Sequence, residues 1–154
     1  TGYMKLRLWV EAVGSDDMDL FVAVHKIDRF GKTLPFAFLW VHEDGPVALG
    51  WLRVSHRELD EERSTEYQPF LKHQREMKIA PGEVVPVDIE IWPSSTVFER
   101  GEKLRLIVAG RDLCMYPGQI ATYGHFSTVN RGEHVIHAGG KYDSHLLVPV
   151  IPVR

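Results

Sequence analysis

The sequence predicts an all-β fold, a jelly-roll β-sandwich of about eight short strands with one long crossing loop and a short helix. Three observations carry this expectation. Apolar residues recur with period two in short runs, as in Leu6, Leu8, Val10 and Ala12 or Val85, Val87, Ile89 and Ile91, the spacing that places side chains on one face of a strand. Turn residues such as Gly14-Ser15-Asp16-Asp17 and Ala80-Pro81-Gly82-Glu83 separate the runs. Nothing alternates between strand and helix patterns as a parallel α/β sheet requires. With 154 residues, one domain is expected, long enough to bury on the order of two-thirds of its unfolded surface without disulfides or metals.

Met4 to Val13 reads as a half-buried strand, with Trp9 and Val13 on its second face. Leu20 to Ile27 is apolar on both faces, the pattern of an inner strand. Pro35 to His42 carries Phe36, Phe38 and Trp40 at period two, and Val47 to Ser55 returns after Glu43-Asp44-Gly45-Pro46, so residues 35–55 read as a hairpin. Within it, Ala48, Gly50, Leu52 and Val54 face one way and Leu49, Trp51, Arg53 and Ser55 the other, which places this strand centrally.

The charged run Arg57 to Arg63 suggests a short helix, followed by an ordered crossing loop to Met77 that Tyr67, Phe70, Leu71 and Met77 would pin to a sandwich edge. In Val85 to Trp92 the missing N–H of Pro86 suggests an edge strand or a bulge. Phe98 is expected to cap the core, and Leu104, Leu106 and Val108 to repeat the inward pattern. Arg111 to Asn130 has no regular period; His134 to Ala138 and His145 to Val153 are the last strands. The chain starts at Thr1-Gly2-Tyr3 almost directly in a strand, which reads as a fragment of something longer.

Eighteen Lys and Arg against 21 Asp and Glu give a formal charge of −3, so no basic field favours nucleic acid or anionic membrane. No apolar run is long enough for a membrane-spanning helix. The single cysteine, Cys114, has no partner for an internal disulfide, which fits a reducing, cytoplasmic compartment.

No catalytic, cofactor or metal site is expected from the motifs. Gly-x-Ser-x-Gly is absent, Gly14-Ser15-Asp16 lacks the second glycine, and Ser55-His56 are neighbours in sequence, which is not how a triad assembles. His134 and His137, three apart on a strand, would point to opposite faces, and His125 and His145 are distant. Asp16, Asp17 and Asp19 offer oxygens suited to Ca²⁺, yet three acids at a turn are more often a hydrated turn. Trp9, Trp51 and Trp92 fall opposite the aliphatic stripes, with Trp40 on a further strand. They suggest a second hydrophobic surface for a protein domain, or a stacking platform for carbohydrate.

Across nearly its whole length the chain resembles the carboxy-terminal domain of the X-Pro dipeptidyl-peptidase and cocaine-esterase-like serine hydrolases. The resemblance lies in Asp17-Met18-Asp19-Leu20, Gly50-Trp51-Leu52-Arg53-Val54-Ser55-His56-Arg57, Pro81-Gly82-Glu83, Gly101-Glu102-Lys103-Leu104-Arg105-Leu106, Asn130-Arg131-Gly132, His134-Val135-Ile136-His137 and Leu146-Leu147-Val148-Pro149-Val150-Ile151-Pro152. It implies a jelly roll of galactose-binding-domain-like type, accessory to an α/β-hydrolase domain that bears the Ser-Asp-His triad and cleaves acyl esters, β-lactam-type amides or X-Pro dipeptides. No catalytic residue is carried onto this sequence. What it adds is a role for the second apolar face: Trp9, Trp51, Arg53 and Arg57 are the expected interface residues toward that absent domain, and the domain alone would self-associate through the patch. An independent carbohydrate- or ligand-binding module is the alternative.

Overall fold

The computed structural model describes residues 1–38, 42–113, 125 and 127–151. The alternating stripe at the start of the chain becomes β1 (Gly2–Val13), with Leu6, Leu8, Val10 and Ala12 all buried. Next come β2 (Asp19–Ile27), β3 (Phe36–Phe38), β4 (His42–Gly45) and β5 (Ala48–Arg53), then a 3-10 turn at Val54–His56. After a long crossing segment come β6 (Val85–Ser94), β7 (Lys103–Ala109), β8 (Glu133–His137) and β9 (His145–Leu147).

One sheet runs β6-β1-β8, and β9 also pairs with β1. The register puts β8 against Trp9–Val13 and β9 against Lys5–Arg7, so these two short strands lie end to end along one side of β1. The second sheet runs β5-β2-β7, and β3 pairs with β4 in a small separate ribbon. All these pairings are antiparallel. The inner faces of the two sheets share one core, in which Leu6, Leu8 and Val10 of β1 and Val87, Ile89 and Ile91 of β6 join Leu20, Val22 and Val24 of β2 and Leu52 of β5. At about 1.5–3 kcal/mol for each fully buried aliphatic side chain, this interlayer is the main favourable term of the fold. The protein is therefore the all-β sandwich its periodicity predicts.

The sandwich closes along one side where β5 approaches β6. A Cβ built on Gly50 would lie 2.2 Å from the Glu90 carbonyl oxygen, so only glycine lets the two backbones meet. At the end of β1, Gly132 plays a similar part: its φ is 66° and an added Cβ would lie 2.0 Å from the Val13 carbonyl oxygen.

Several local expectations are corrected. Residues 35–55 are not one hairpin, because β5 pairs with β2 and leaves β3 to β4. In its sheet β5 is the outer strand and β2 the inner one. The helix expected over 57–63 does not form; the helical turn comes earlier, at Val54–His56. The charged run instead extends to meet its own return limb, where the Asp60 N–H donates to the Phe70 carbonyl at 2.8 Å, Lys72 N–H to Glu58 at 2.9 Å, and Leu59 bridges Leu71. The crossing segment is anchored by Ile79, which is fully buried, and by Leu71 against the core, whereas Tyr67 stands in solvent. Phe98 and Leu104 are likewise exposed, although Leu106 and Val108 do pack on the core. Pro86 fits its expected place, since β6 is the outer strand of its sheet. Trp40 and Cys114 lie outside the described residues.

Candidate functional site

Beside the β5–β6 seam lies a cleft of about 650 Å³, lined by Phe21, Trp51, Arg53, Phe70, Trp92 and His125 among others. Strand alternation turns Gly50 and Leu52 inward and Trp51 and Arg53 outward. On β6 the same alternation buries Ile89 and Ile91 and leaves Trp92 on the outer face. Because the two edges nearly touch at Gly50, these outer faces become one surface. The Trp51 and Trp92 rings meet there at 5.0 Å between centroids, with planes 64° apart.

Trp51 remains 39% exposed and Trp92 43%. The ring of His125 lies 4.9 Å from that of Trp51 and 5.4 Å from that of Phe21. Its Nδ1 is 2.9 Å from Asp112 Oδ2, which also accepts the His125 backbone N–H. The indoles meet edge to face, so together they form no flat plate of the kind that sugar stacking uses.

Arg53 forms a fork with Asp19 on the neighbouring strand, its Nε donating to Oδ1 at 2.8 Å and its Nη2 to Oδ2 at 3.0 Å. This bond raises the pKa of Arg53. Asp19 also accepts the Val129 N–H, and Asn130 ties the same end of β2 to Gly110 at the end of β7. Arg57 donates to the Met77 and Val54 carbonyls, and its burial lowers its pKa; both guanidinium groups stay cationic. The two arginines thus hold the near edge of the cleft and the root of the crossing segment.

Trp9 is elsewhere. Its register partner on β6 is Pro86, six residues and about 20 Å of strand away from Trp92. Its Nε1–H donates to Asp143 Oδ1 at 2.6 Å and its ring lies 5.6 Å from that of Tyr142, beside His137. The second apolar surface expected from the tryptophans is therefore two patches. Trp51 acquires Trp92, which the outward pattern of β6 marks in the sequence; nothing local in the sequence says that the two strand edges meet. His125 carries no sequence signal beyond its residue type.

In the acidic turn Asp16 is exposed, whereas Asp17 and Asp19 are buried and paired. Asp17 is 2% exposed and accepts the backbone N–H groups of Met18 and Ser55, each at 2.9 Å, and Lys78 Nζ at 3.1 Å. Burial alone would raise its pKa; these donors outweigh it and hold the carboxyl below its ordinary value. With Asp19 committed to Arg53, two of the three acids are structural. On β8, His134 sits opposite Ala12 and His137 opposite Trp9, so they point to opposite faces. His137 Nε2 meets Glu11 at 3.0 Å.

Among the described residues, no helix is long and apolar enough to cross a membrane. A comparison with curated proteins finds no match. Two crystal structures of a CocE/NonD family hydrolase from Staphylococcus aureus are similar at 48% identity. One superposes with a TM-score of 0.94 over 98% of this chain and the other with 0.93 over 97%. In both, the chain spans only 28% of the relative's length. The family model for the X-Pro dipeptidyl-peptidase C-terminal non-catalytic domain matches residues 1–147, nearly the full sandwich, and this chain belongs to that family.

Proposed function

We propose that the chain is an accessory domain of a serine hydrolase of X-Pro dipeptidyl-peptidase or acyl-esterase type, and that it packs on and stabilises an α/β-hydrolase domain of the same protein. The observation that carries this reading is the half-exposed Trp51 and Trp92 pair over the seam, since clustered exposed indoles are typical anchors of protein contacts. The 28% coverage of the hydrolase from Staphylococcus aureus supports it, because most of that relative lies outside the match. Catalysis would belong to that other part, and this domain would supply area on the scale of roughly 600–1,500 Å².

In this reading Trp51 is the anchor and Arg53 flanks it. Arg57 acts from behind the cleft by holding the crossing segment, and Trp9 would meet a separate part of the partner surface. The lone cysteine agrees with a cytoplasmic setting.

The test is Trp51→Ala with Trp92→Ala in the longer hydrolase chain. The expected result is a loss of about 2 kcal/mol or more in domain coupling, seen as an earlier melting step for this domain and its faster release by limited proteolysis. Unchanged melting and unchanged proteolysis would overturn the assignment.

A further inference from the structure

We propose that His56 and His73 form a two-histidine chelate for Zn²⁺, the nitrogen-seeking divalent ion whose tetrahedral geometry their spacing fits, with Cu²⁺ as its spectroscopic probe. Their Nδ1 atoms face each other at 3.3 Å, with ring centroids 5.4 Å apart. Two metal–nitrogen bonds of about 2.0–2.1 Å meeting at a tetrahedral angle hold their nitrogens about 3.3–3.4 Å apart. The observed spacing already matches that bite.

Both side chains are presented by pinned backbone. His56 closes the 3-10 turn, which is tied by Val54 N–H to the Met18 carbonyl at 2.9 Å and by Met77 N–H to the Ser55 carbonyl at 2.7 Å. His73 stands on the facing limb, just past the Lys72 to Glu58 backbone bond and the Leu59–Leu71 bridge. It is also the non-glycine residue with positive φ among the described residues, at 52°. That conformation is uncommon outside glycine, and where it persists the surrounding structure imposes it.

Without metal, the contact needs the proton of one ring on Nδ1 and that of the other on Nε2. On binding, the first ring moves its proton to Nε2, and both Nδ1 lone pairs go to the ion. Among the described residues no group of three or more metal-type side chains converges, so the remaining positions belong to water or to an incoming ligand. Both histidines line the cleft. An open site of this kind is exchangeable and differs from a closed structural one. The proposal rests on the histidine geometry and not on the docking role.

The experiment titrates the 154-residue chain with Zn²⁺ and, separately, Cu²⁺ by calorimetry, and reads the nitrogen couplings of bound Cu²⁺ by electron paramagnetic resonance. Binding of one ion per chain with two coordinated nitrogens is expected, and each of His56→Ala and His73→Asn should weaken it about tenfold or more. Asparagine tolerates the left-handed backbone, so metal-free melting and far-UV circular dichroism of H73N should stay as in the parent; should it fail to fold, His73→Gly replaces it. His125→Gln should leave binding intact. Equal binding by the parent and the H56A/H73N pair, or loss of binding only on H125Q, would overturn the proposal.

Discussion

A single methyl group at Gly50 is enough to test how the sandwich closes. The alanine Cβ would fall 2.2 Å from the Glu90 carbonyl oxygen and 3.2 Å from Ile91 Cγ1. The obstructing atom is backbone in the middle of β6, so it cannot swing aside as a flexible side chain would. Gly50→Ala should therefore destabilise the fold by about 1–3 kcal/mol, the range of overpacking in a tight core, measured by chemical denaturation. It should also disturb the emission of Trp51 and Trp92, whose contact depends on the same approach. Gly82, with nothing within 4 Å of its Cβ position but a φ of 77°, is the contrasting case. Alanine there would pay in backbone conformation and not in collision.

At the scale of elements, legibility followed the reach of the interactions. The β1 and β6 stripes were readable because period two and burial agree along their inner faces, and β2 because an inner strand is apolar on both sides. The partner of β5 was not readable: hairpin logic favours the nearest strand, yet β5 crosses to β2, where Arg53 finds Asp19 and Trp51 lies opposite Phe21. Helix propensity in Arg57 to Arg63 lost to long-range backbone pairing with residues 70–72, which no local pattern announces. The cleft was half visible for the same reason, since Trp51 and Trp92 each stand out on their own strand but meet only through the seam.

The crossing segment offers a direct check of this account. Ile79 is its buried anchor, its N–H donating to the Asp16 carbonyl at 2.8 Å, while Tyr67 projects into water. Ile79→Ala should cost about 2–5 kcal/mol, as for other large-to-small changes in a core, and should increase hydrogen exchange in the amides around residues 77–79. Tyr67→Ala should stay within about 0.5 kcal/mol. Equal losses would mean that the aromatic ring holds the segment as firmly as the isoleucine does.

For the molecule as a whole, the buried titratable groups set how stability responds to acid. Burial lowers the pKa of His25, assisted by Arg105 directly across the strand pair, and burial also lowers that of His134 against the opposing pull of Asp19. Both imidazoles are thus easier to protonate in the unfolded chain, where the ordinary value is about 6.5. Their contribution is complete above that pH. It is lost as the pH falls below it and the unfolded state takes up protons that the folded state resists. Asp17 adds a second, more acidic step: its folded pKa lies below the ordinary 3.8, so the stability it supplies is present above that value and disappears as the carboxyl is protonated. Melting temperature should therefore be nearly flat from about pH 8 to 7, decline as the pH falls below about 6.5, and fall again below about 4. Replacing His25 and His134 together by glutamine should flatten the first decline and leave the second in place. If the double variant keeps the full slope below pH 6.5, the proton uptake belongs to other histidines and these two partly buried imidazoles do not control it.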